Sequence, residues 1–395
     1  MKPLRLLFVA DFRSPTARNW SGGIAAAGHE VHWVSTYPCA QPDFPLASLH
    51  ILPLAFSETS AAVSGAGGGG LKGRLLRAIA PPALRTRLRQ WFTPLGLPRA
   101  AQRLRAIVDS VQPDLLHALR IPYEGMLAAQ AAVPNVPLLI SIWGNDFTLH
   151  APSSPWMARL TRQTLARADA LHSDCRRDVR LARQWGFAPD KPSVVLPGGG
   201  GIDTGVFFPA PHMPTQPVVV NPRGLRAYVR NDTFFAAIPL VLRQIPQARF
   251  VCPAMHAQPE AEAWVRKFGI QAAVDLLPNL TRLQMAEVFR SAQVVASITT
   301  HDGTPNSLLE ALACGCYPVT GDLESIREWI TPGINGELTA PANIAAVAEK
   351  LTSALKNSEA RAATRAFNQT MIAERAEQGA VMRQAQAFYF SLLEA

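Results

Sequence analysis

The chain of 395 residues carries little charge: Asp, Glu, Lys and Arg make up 17% of it, against 48% hydrophobic residues. That balance excludes a disordered chain, which lacks the apolar surface to fold. Acids are scarcer than bases, 29 against 38, so the net charge is +9. A basic excess favours anionic partners (nucleic acid, acidic lipid or phosphorylated substrates) without choosing among them. Cysteine is scarce too, with five residues at 39, 175, 252, 314 and 316. An odd number at wide spacing excludes a disulfide framework. Cys314 and Cys316 lack the two-residue gap of common zinc and redox motifs. All five read as free thiols in a reducing compartment. No cluster has metal-ligand spacing, so neither a metal nor a cofactor is expected. Long apolar runs are missing: nothing approaches the roughly 20 residues of a membrane span. The run Leu6–Ala10 is too short for a signal peptide, and Asp11 and Arg13 follow at once. The expectation is a cytoplasmic protein, at most peripheral at the inner face of the membrane.

What is present is alternation. The length implies two domains. Strands are predicted at Leu4–Ala10, Val31–Ser35, Leu49–Leu54, Leu115–Ala118 and Leu138–Ile142, with a helix over Thr16–Ala27 despite Gly22 and Gly23. A break follows at Pro197–Pro217, with four consecutive glycines and then Pro209, Pro211, Pro214 and Pro217. Strands restart at Val218–Asn221, Arg249–Val251, Val274–Leu277 and Val294–Ile298. Helical patterns separate them at Thr233–Arg243, Glu260–Phe268 and Leu283–Ser291. The tail from Asn343 is almost wholly helical in pattern. This predicts an α/β chain of two domains with parallel sheets facing a cleft. Ligands in such folds sit beyond the carboxyl ends of the strands.

The segment Ser297 to Glu310 carries the most chemistry. A buried strand runs into a polar turn, Thr304 is suited to the N-cap and Pro305 to the first helical position. The amides of that first turn form a natural phosphate site. Asp302 in the turn and Glu310 about two turns into the helix flank it at different depths. Hydroxyls of a sugar and a ribose could each find an acceptor there. Glu310 lies among Leu308, Leu309, Ala311, Leu312 and Ala313, where a carboxylate is costly unless paired or liganded.

These residues carry a resemblance. Asp302-Gly303-x6-Glu310-Ala311-x-Ala313-Cys314-Gly315 resembles the Glu-x7-Glu segment of retaining glycosyltransferases of GT-B fold, especially glycosyltransferase family 4. Tyr317–Gly321 with Glu324 and Ile326 looks like that family's following strand and turn. Gly333-Ile334-Asn335-Gly336-Glu337-Leu338 is similar to its G-x-x-G-x-L segment. Gly201-Ile202-Asp203 with Phe207 and Pro209 resembles its interdomain signature, and Gly28-His29-Glu30-Val31 the lead-in to its second strand.

The resemblance implies two Rossmann-like domains in GT-B architecture. Residues 1–203 would bind the acceptor and 204–375 the nucleotide sugar, while 376–395 would form a C-terminal helix crossing back to the first domain. It implies catalytic carboxylates at Asp302, on the sugar ring, and Glu310, on the donor ribose. Asp302 stands where the family usually has Glu, one methylene longer. Gly303, Thr304, Pro305, Asn306 and Ser307 would surround the diphosphate, through backbone amides except at Pro305. Arg223 would neutralise it, with Arg226 or Arg230 replacing the family's usual Lys. Leu277 ends a strand where the family's backbone meets the nucleobase. On the acceptor side stand Arg13, Arg18, His117, Asp146 and Trp143, the last in place of a usual His.

Nine basic residues lie between Leu71 and Ala106 with no acid among them, interleaved with Leu75, Leu76, Ile79, Leu84, Leu88, Trp91 and Phe92. This pattern suits docking to an anionic membrane face, near a lipid-linked acceptor. No recognised nucleic-acid motif accompanies it. The expected function is retaining transfer of a sugar from a nucleoside diphosphate sugar to a hydroxyl of a glycan or lipid-linked acceptor, in polysaccharide or glycolipid synthesis. The alternatives are a nucleotide-sugar epimerase of similar architecture and a non-catalytic nucleotide-sugar-binding or scaffold protein.

Overall fold

The computed structural model describes residues 2–54 and 82–394, with the side chains of 82–95 excepted. The basic stretch 71–106 thus lies in large part outside the described residues. Two units divide the chain: Met1–Gly200 with Val381–Ala395, and Gly201–Ala380.

The first unit holds seven parallel strands: β1 (Arg5–Ala10), β2 (Glu30–Ser35), β3 (Ser48–Ile51), β4 (Leu115–Ala118), β5 (Leu138–Ile142), β6 (Ala170–Ser173) and β7 (Ser193–Val195). Their order is β3-β2-β1-β4-β5-β6-β7, which reverses between β1 and β4. Helices α1 (Pro15–Ala26), α2 (Pro82–Val111), α3 (Met126–Ala131), α4 (Pro155–Arg167) and α5 (Arg176–Gln184) accompany them. The inner strands are buried on both faces, which requires helices above and below the sheet. On α2, Leu97, Ala101, Leu104 and Val108 face the core, and Arg99, Arg103 and Arg105 are exposed. Strands β6 and β7 and helices α4 and α5 went unread in the sequence. Short strands with inward His and Ser, such as Ala170–Ser173, give no apolar run.

The second unit holds β8 (Val218–Val220), β9 (Arg249–Cys252), β10 (Val274–Leu276), β11 (Val294–Ser297), β12 (Tyr317–Gly321) and β13 (Glu337–Thr339). The order is β10-β9-β8-β11-β12-β13, again all parallel, reversing between β8 and β11. Such a reversal is where ligands bind doubly wound sheets. Its helices are α6 (Asn231–Leu242), α7 (Pro259–Phe268), α8 (Arg282–Ser291), α9 (Asn306–Ala313), α10 (Ile344–Lys356) and α11 (Ser358–Arg375). The Gly201-Ile202-Asp203 segment packs on the chain that leaves α11. Ile202 exchanges backbone hydrogen bonds with Ala376 and Gln378, at 2.7 and 3.0 Å. A Cβ on Gly201 would lie 2.8 Å from the Ala376 carbonyl oxygen, and its φ is +89°. Only glycine tolerates both.

Helix α12 (Gln378–Ser391) contributes Val381, Met382, Ala385 and Tyr389 to the core of the first unit, beside Phe8, Trp20 and Ile24. The glycines inside α1 are there for packing: a Cβ on Gly23 would lie 2.5 Å from the Met382 sulfur. All five cysteines are free, four buried and Cys39 half-buried. Among the described residues, no helix is long and apolar enough to cross a membrane.

Candidate active site

At the carboxyl end of β11 the chain passes through Ile298–Thr300 and meets the loop after β8. Val229 and Thr299 form an isolated antiparallel bridge, and the Arg230 amide donates to the Ile298 carbonyl at 2.8 Å. The turn then enters α9 one residue later than the sequence predicts. Pro305 is the cap (φ −69°, ψ 120°), not the first helical residue, and it offers no side-chain cap. The Thr304 hydroxyl accepts a hydrogen bond from the Trp329 indole at 2.9 Å. The Ser325 hydroxyl donates to the Asp302 carbonyl at 2.7 Å. Ser325 and Trp329 thereby fix the turn.

Arg223 reaches this turn from the end of β8. Its Nη2 lies 2.5 Å from the Asp302 carboxylate and its Nη1 donates to the Ser307 hydroxyl at 3.1 Å. Both charged side chains are nearly enclosed, 6% and 14% exposed. The loop beneath is held by two buried asparagines. Asn221 donates to Asn231 at 2.9 Å, Asn231 donates to the Gly224 carbonyl at 2.9 Å, and the Arg223 amide donates to Asn221 at 3.2 Å. Neither asparagine was readable as part of the site, since the pair forms only when the β8 loop folds onto the start of α6.

Glu310 is partly buried on α9. Burial pushes its carboxyl up to about 7, while the Arg282 charge pulls it down. It has no hydrogen-bond or ion-pair partner among the described residues. A half-neutral acid at this position can both donate and accept hydrogen bonds. Arg226 donates to the Tyr228 hydroxyl at 3.2 Å, and Arg230 makes a two-pronged pair with Asp232 at 2.8 and 2.7 Å. Of the three arginines, Arg223 alone bonds the turn. The backbone of Leu277 is already occupied: its amide donates to Cys252 and its carbonyl accepts from Met255 and His256, each at 3.0 Å.

In the first unit, two expected acceptor ligands are corrected to structural roles. His117 is fully buried, with Nδ1 2.9 Å from the Tyr389 hydroxyl and Nε2 2.8 Å from Ser141. Asp146 is also buried. It pairs with Arg120 at 3.0 Å and accepts from the amides of Ile121 and Trp143 at 3.0 and 3.3 Å. A side chain so enclosed and saturated has no reach left for a substrate. The others remain on the surface or near it. Trp143 is half-buried against Gly198, and its indole N–H has no partner among the described residues. Arg13 grips Asp11 with two bonds of 2.9 Å and stacks on Tyr37. Arg18 lies 3.7 Å from Asp43, an exposed contact.

His117 belongs to a buried chain of hydrogen bonds that, for neutral imidazoles, runs in one direction, from Trp20 to the Leu196 carbonyl. The Trp20 indole can only donate, and it meets the Tyr389 hydroxyl at 2.7 Å. Tyr389 then donates to His117 Nδ1, and His117 Nε2 donates to Ser141. Ser141 donates to His172 Nδ1 at 2.8 Å, and His172 Nε2 donates to the Leu196 carbonyl at 3.0 Å. Burial keeps both imidazoles neutral, and because the Leu196 carbonyl can only accept, the proton of each then sits on Nε2. Burial, then each other's proximity, holds His117 well below the usual range, and burial lowers His172 to about 4.

Comparison with known proteins follows this division. Residues 207–371 match the family described as glycosyl transferases group 1, and residues 14–199 match the glycosyl transferase 4-like domain. No curated protein matches the chain in sequence. Among solved structures it is similar to sucrose-phosphate synthase from Thermosynechococcus elongatus (16% identity, 100% of both chains covered, TM-score 0.76). It is also similar to Anabaena HepE in complex with UDP and glucose (14% identity, 98% of this chain and 100% of that one, TM-score 0.72). A third is a TarM variant from S. aureus in complex with Fondaparinux, alpha-GlcNAc-glycerol and UDP (10% identity, 100% of both chains, TM-score 0.71).

Proposed function

The chain belongs to the family 4-like glycosyltransferases of GT-B fold, and on that footing we propose that it moves a sugar from a nucleoside diphosphate to a hydroxyl of a glycan or lipid-linked acceptor with retention of configuration. The bond from the anomeric carbon to the phosphate oxygen breaks, the acceptor oxygen forms the new bond, and the hydroxyl proton departs with the diphosphate. What supports the donor assignment is the meeting of Arg223, Asp302 and Ser307 at the start of α9. There the helix amides and a guanidinium face the charge that grows on the leaving group, the kind of preorganised stabilisation that usually dominates catalysis. Glu310 holds the ribose hydroxyls and Asp302 meets the sugar. Arg226 and Arg230 are the second cationic neighbours, and Gly303 to Ser307 line the phosphates. Leu277 contributes side-chain contact rather than backbone bonds to the base.

Acceptor binding is assigned to Arg13, Arg18 and Trp143. The reading includes no metal. Calorimetry with UDP, GDP and ADP should find one that binds. NMR of the transfer product made with the matching nucleotide sugar, in the presence of a chelator, should show the donor's own anomeric configuration. An inverted product, or activity abolished by the chelator, would overturn the mechanism. Because the HepE and TarM complexes contain UDP, UDP is the first nucleotide to test.

The basic run 71–106 is proposed to dock on an anionic membrane face; Arg99, Arg103 and Arg105 on α2, the part of it whose side chains are described, are exposed. The protein should float with vesicles containing phosphatidylglycerol and not with pure phosphatidylcholine, and the difference should shrink in high salt. Equal recovery on both would remove this docking role.

A further inference from the structure

We propose that Asp302 is an internal counter-ion that competes with the donor's diphosphate for Arg223, so that it favours the nucleotide sugar over the bare nucleoside diphosphate. The proposal rests on the donor-site reading given above and adds a role to it. Its observation is the ion pair itself: Arg223 Nη2 lies 2.5 Å from Asp302 Oδ2, and both side chains are nearly enclosed.

Two features argue that the side chains, not the backbone, must move. The Arg223 loop is fixed by the Asn221–Asn231 pair and by the Asn231 bond to the Gly224 carbonyl. The Asp302 main chain is fixed by Ser325. The guanidinium itself is pinned at both Nη atoms by Asp302 and Ser307, while its buried Nε has no partner among the described residues. A diphosphate drawn to this guanidinium brings its negative charge beside the Asp302 carboxylate. Like charges repel strongly where water is largely excluded.

Asp302 has a short reach, with two torsions between backbone and carboxylate. It cannot remain on Arg223 and also accept a hydroxyl from a sugar lying beyond the phosphates. The two contacts alternate. When a nucleotide sugar binds, the diphosphate takes Arg223, and the released carboxylate gains a sugar hydroxyl in return. When a bare diphosphate binds, the carboxylate is displaced and gains nothing. The product therefore binds less tightly than its phosphates alone would allow, which speeds its departure after transfer.

The test measures binding of free UDP, GDP and ADP to the wild type and to Asp302→Asn by calorimetry, with product inhibition in the transfer assay. The nucleoside diphosphate that binds the wild type should bind Asp302→Asn about tenfold more tightly, with an equal fall in its inhibition constant. Affinity for the intact nucleotide sugar should rise less, and kcat should fall. A merely structural role for Asp302 would weaken all binding or leave it unchanged, and either result overturns the proposal. Asp302→Ser carries the same expectation should Asp302→Asn not fold. Absence of any nucleoside diphosphate binding by the wild type would sink the donor-site reading itself. Binding by the wild type with no gain in the variants would sink only the exchange.

Discussion

Arg223→Ala should lower kcat/KM for the nucleotide sugar by about a hundredfold to a thousandfold, which is the usual effect of removing one donor aimed at developing negative charge. The fall should appear in kcat as well as KM, because the phosphate charge is greatest as the anomeric bond breaks. Part of the loss comes from removing the cation beside the enclosed Asp302 carboxylate, which is costly in itself. The double variant Arg223→Ala with Asp302→Asn removes that cost, so its melting temperature should recover while its transfer rate stays low. Arg223→Lys should be intermediate: it keeps a charge but loses the fork that engages Asp302 and Ser307 together. Single-turnover and steady-state kinetics check all three. Wild-type rates in Arg223→Ala would remove this residue from the reaction.

The fold was legible because parallel strands buried on both faces read as apolar runs. Leu115–Ala118 and Leu138–Ile142 stand in the structure at the predicted limits. Strands β6 and β7 escaped notice because Ala170–Ser173 spends half its length on His and Ser, and Ser193–Val195 is a three-residue edge. At the candidate site, the turn and the helix were visible as a strand followed by polar residues and Pro305. What holds them was not. Thr304 looks like the cap, yet the helix is entered one residue later at Pro305, and the Thr304 hydroxyl bonds Trp329, 25 residues away. Arg223 and Asp302 are 79 residues apart and nothing in either neighbourhood announces the other. His117 and Asp146 were misread for the same reason. A polar side chain at the end of a buried strand looks available when its partners are distant: Tyr389 lies 272 residues from His117, and Arg120 lies 26 from Asp146.

The buried chain from Trp20 to Leu196 makes the second large effect one of stability. Tyr389→Phe should destabilise the protein by about 2–4 kcal/mol, since it leaves two enclosed groups, the Trp20 indole N–H and His117 Nδ1, without partners. Much of that loss falls on the seat of α12 in the first unit, where Tyr389 packs beside Val381, Met382 and Ala385. The same chain sets a pH dependence. His172 titrates near 4 in the folded protein and near 6.5 in an unfolded chain. Below about pH 6.5 the unfolded chain takes up the proton first, so the stability due to neutral His172 is complete above that value and is lost as pH falls towards 4. Glu310, raised to about 7, has the opposite slope over part of that range, so the wild type alone cannot isolate the histidine. The comparison with His172→Gln can, because glutamine also accepts and donates but does not titrate. The stability advantage of wild type over His172→Gln in urea should grow by about 2 kcal/mol between pH 5 and pH 7.5. An advantage independent of pH would mean that His172 does not stay neutral in the folded protein, and the single direction assigned to the hydrogen bonds would be wrong.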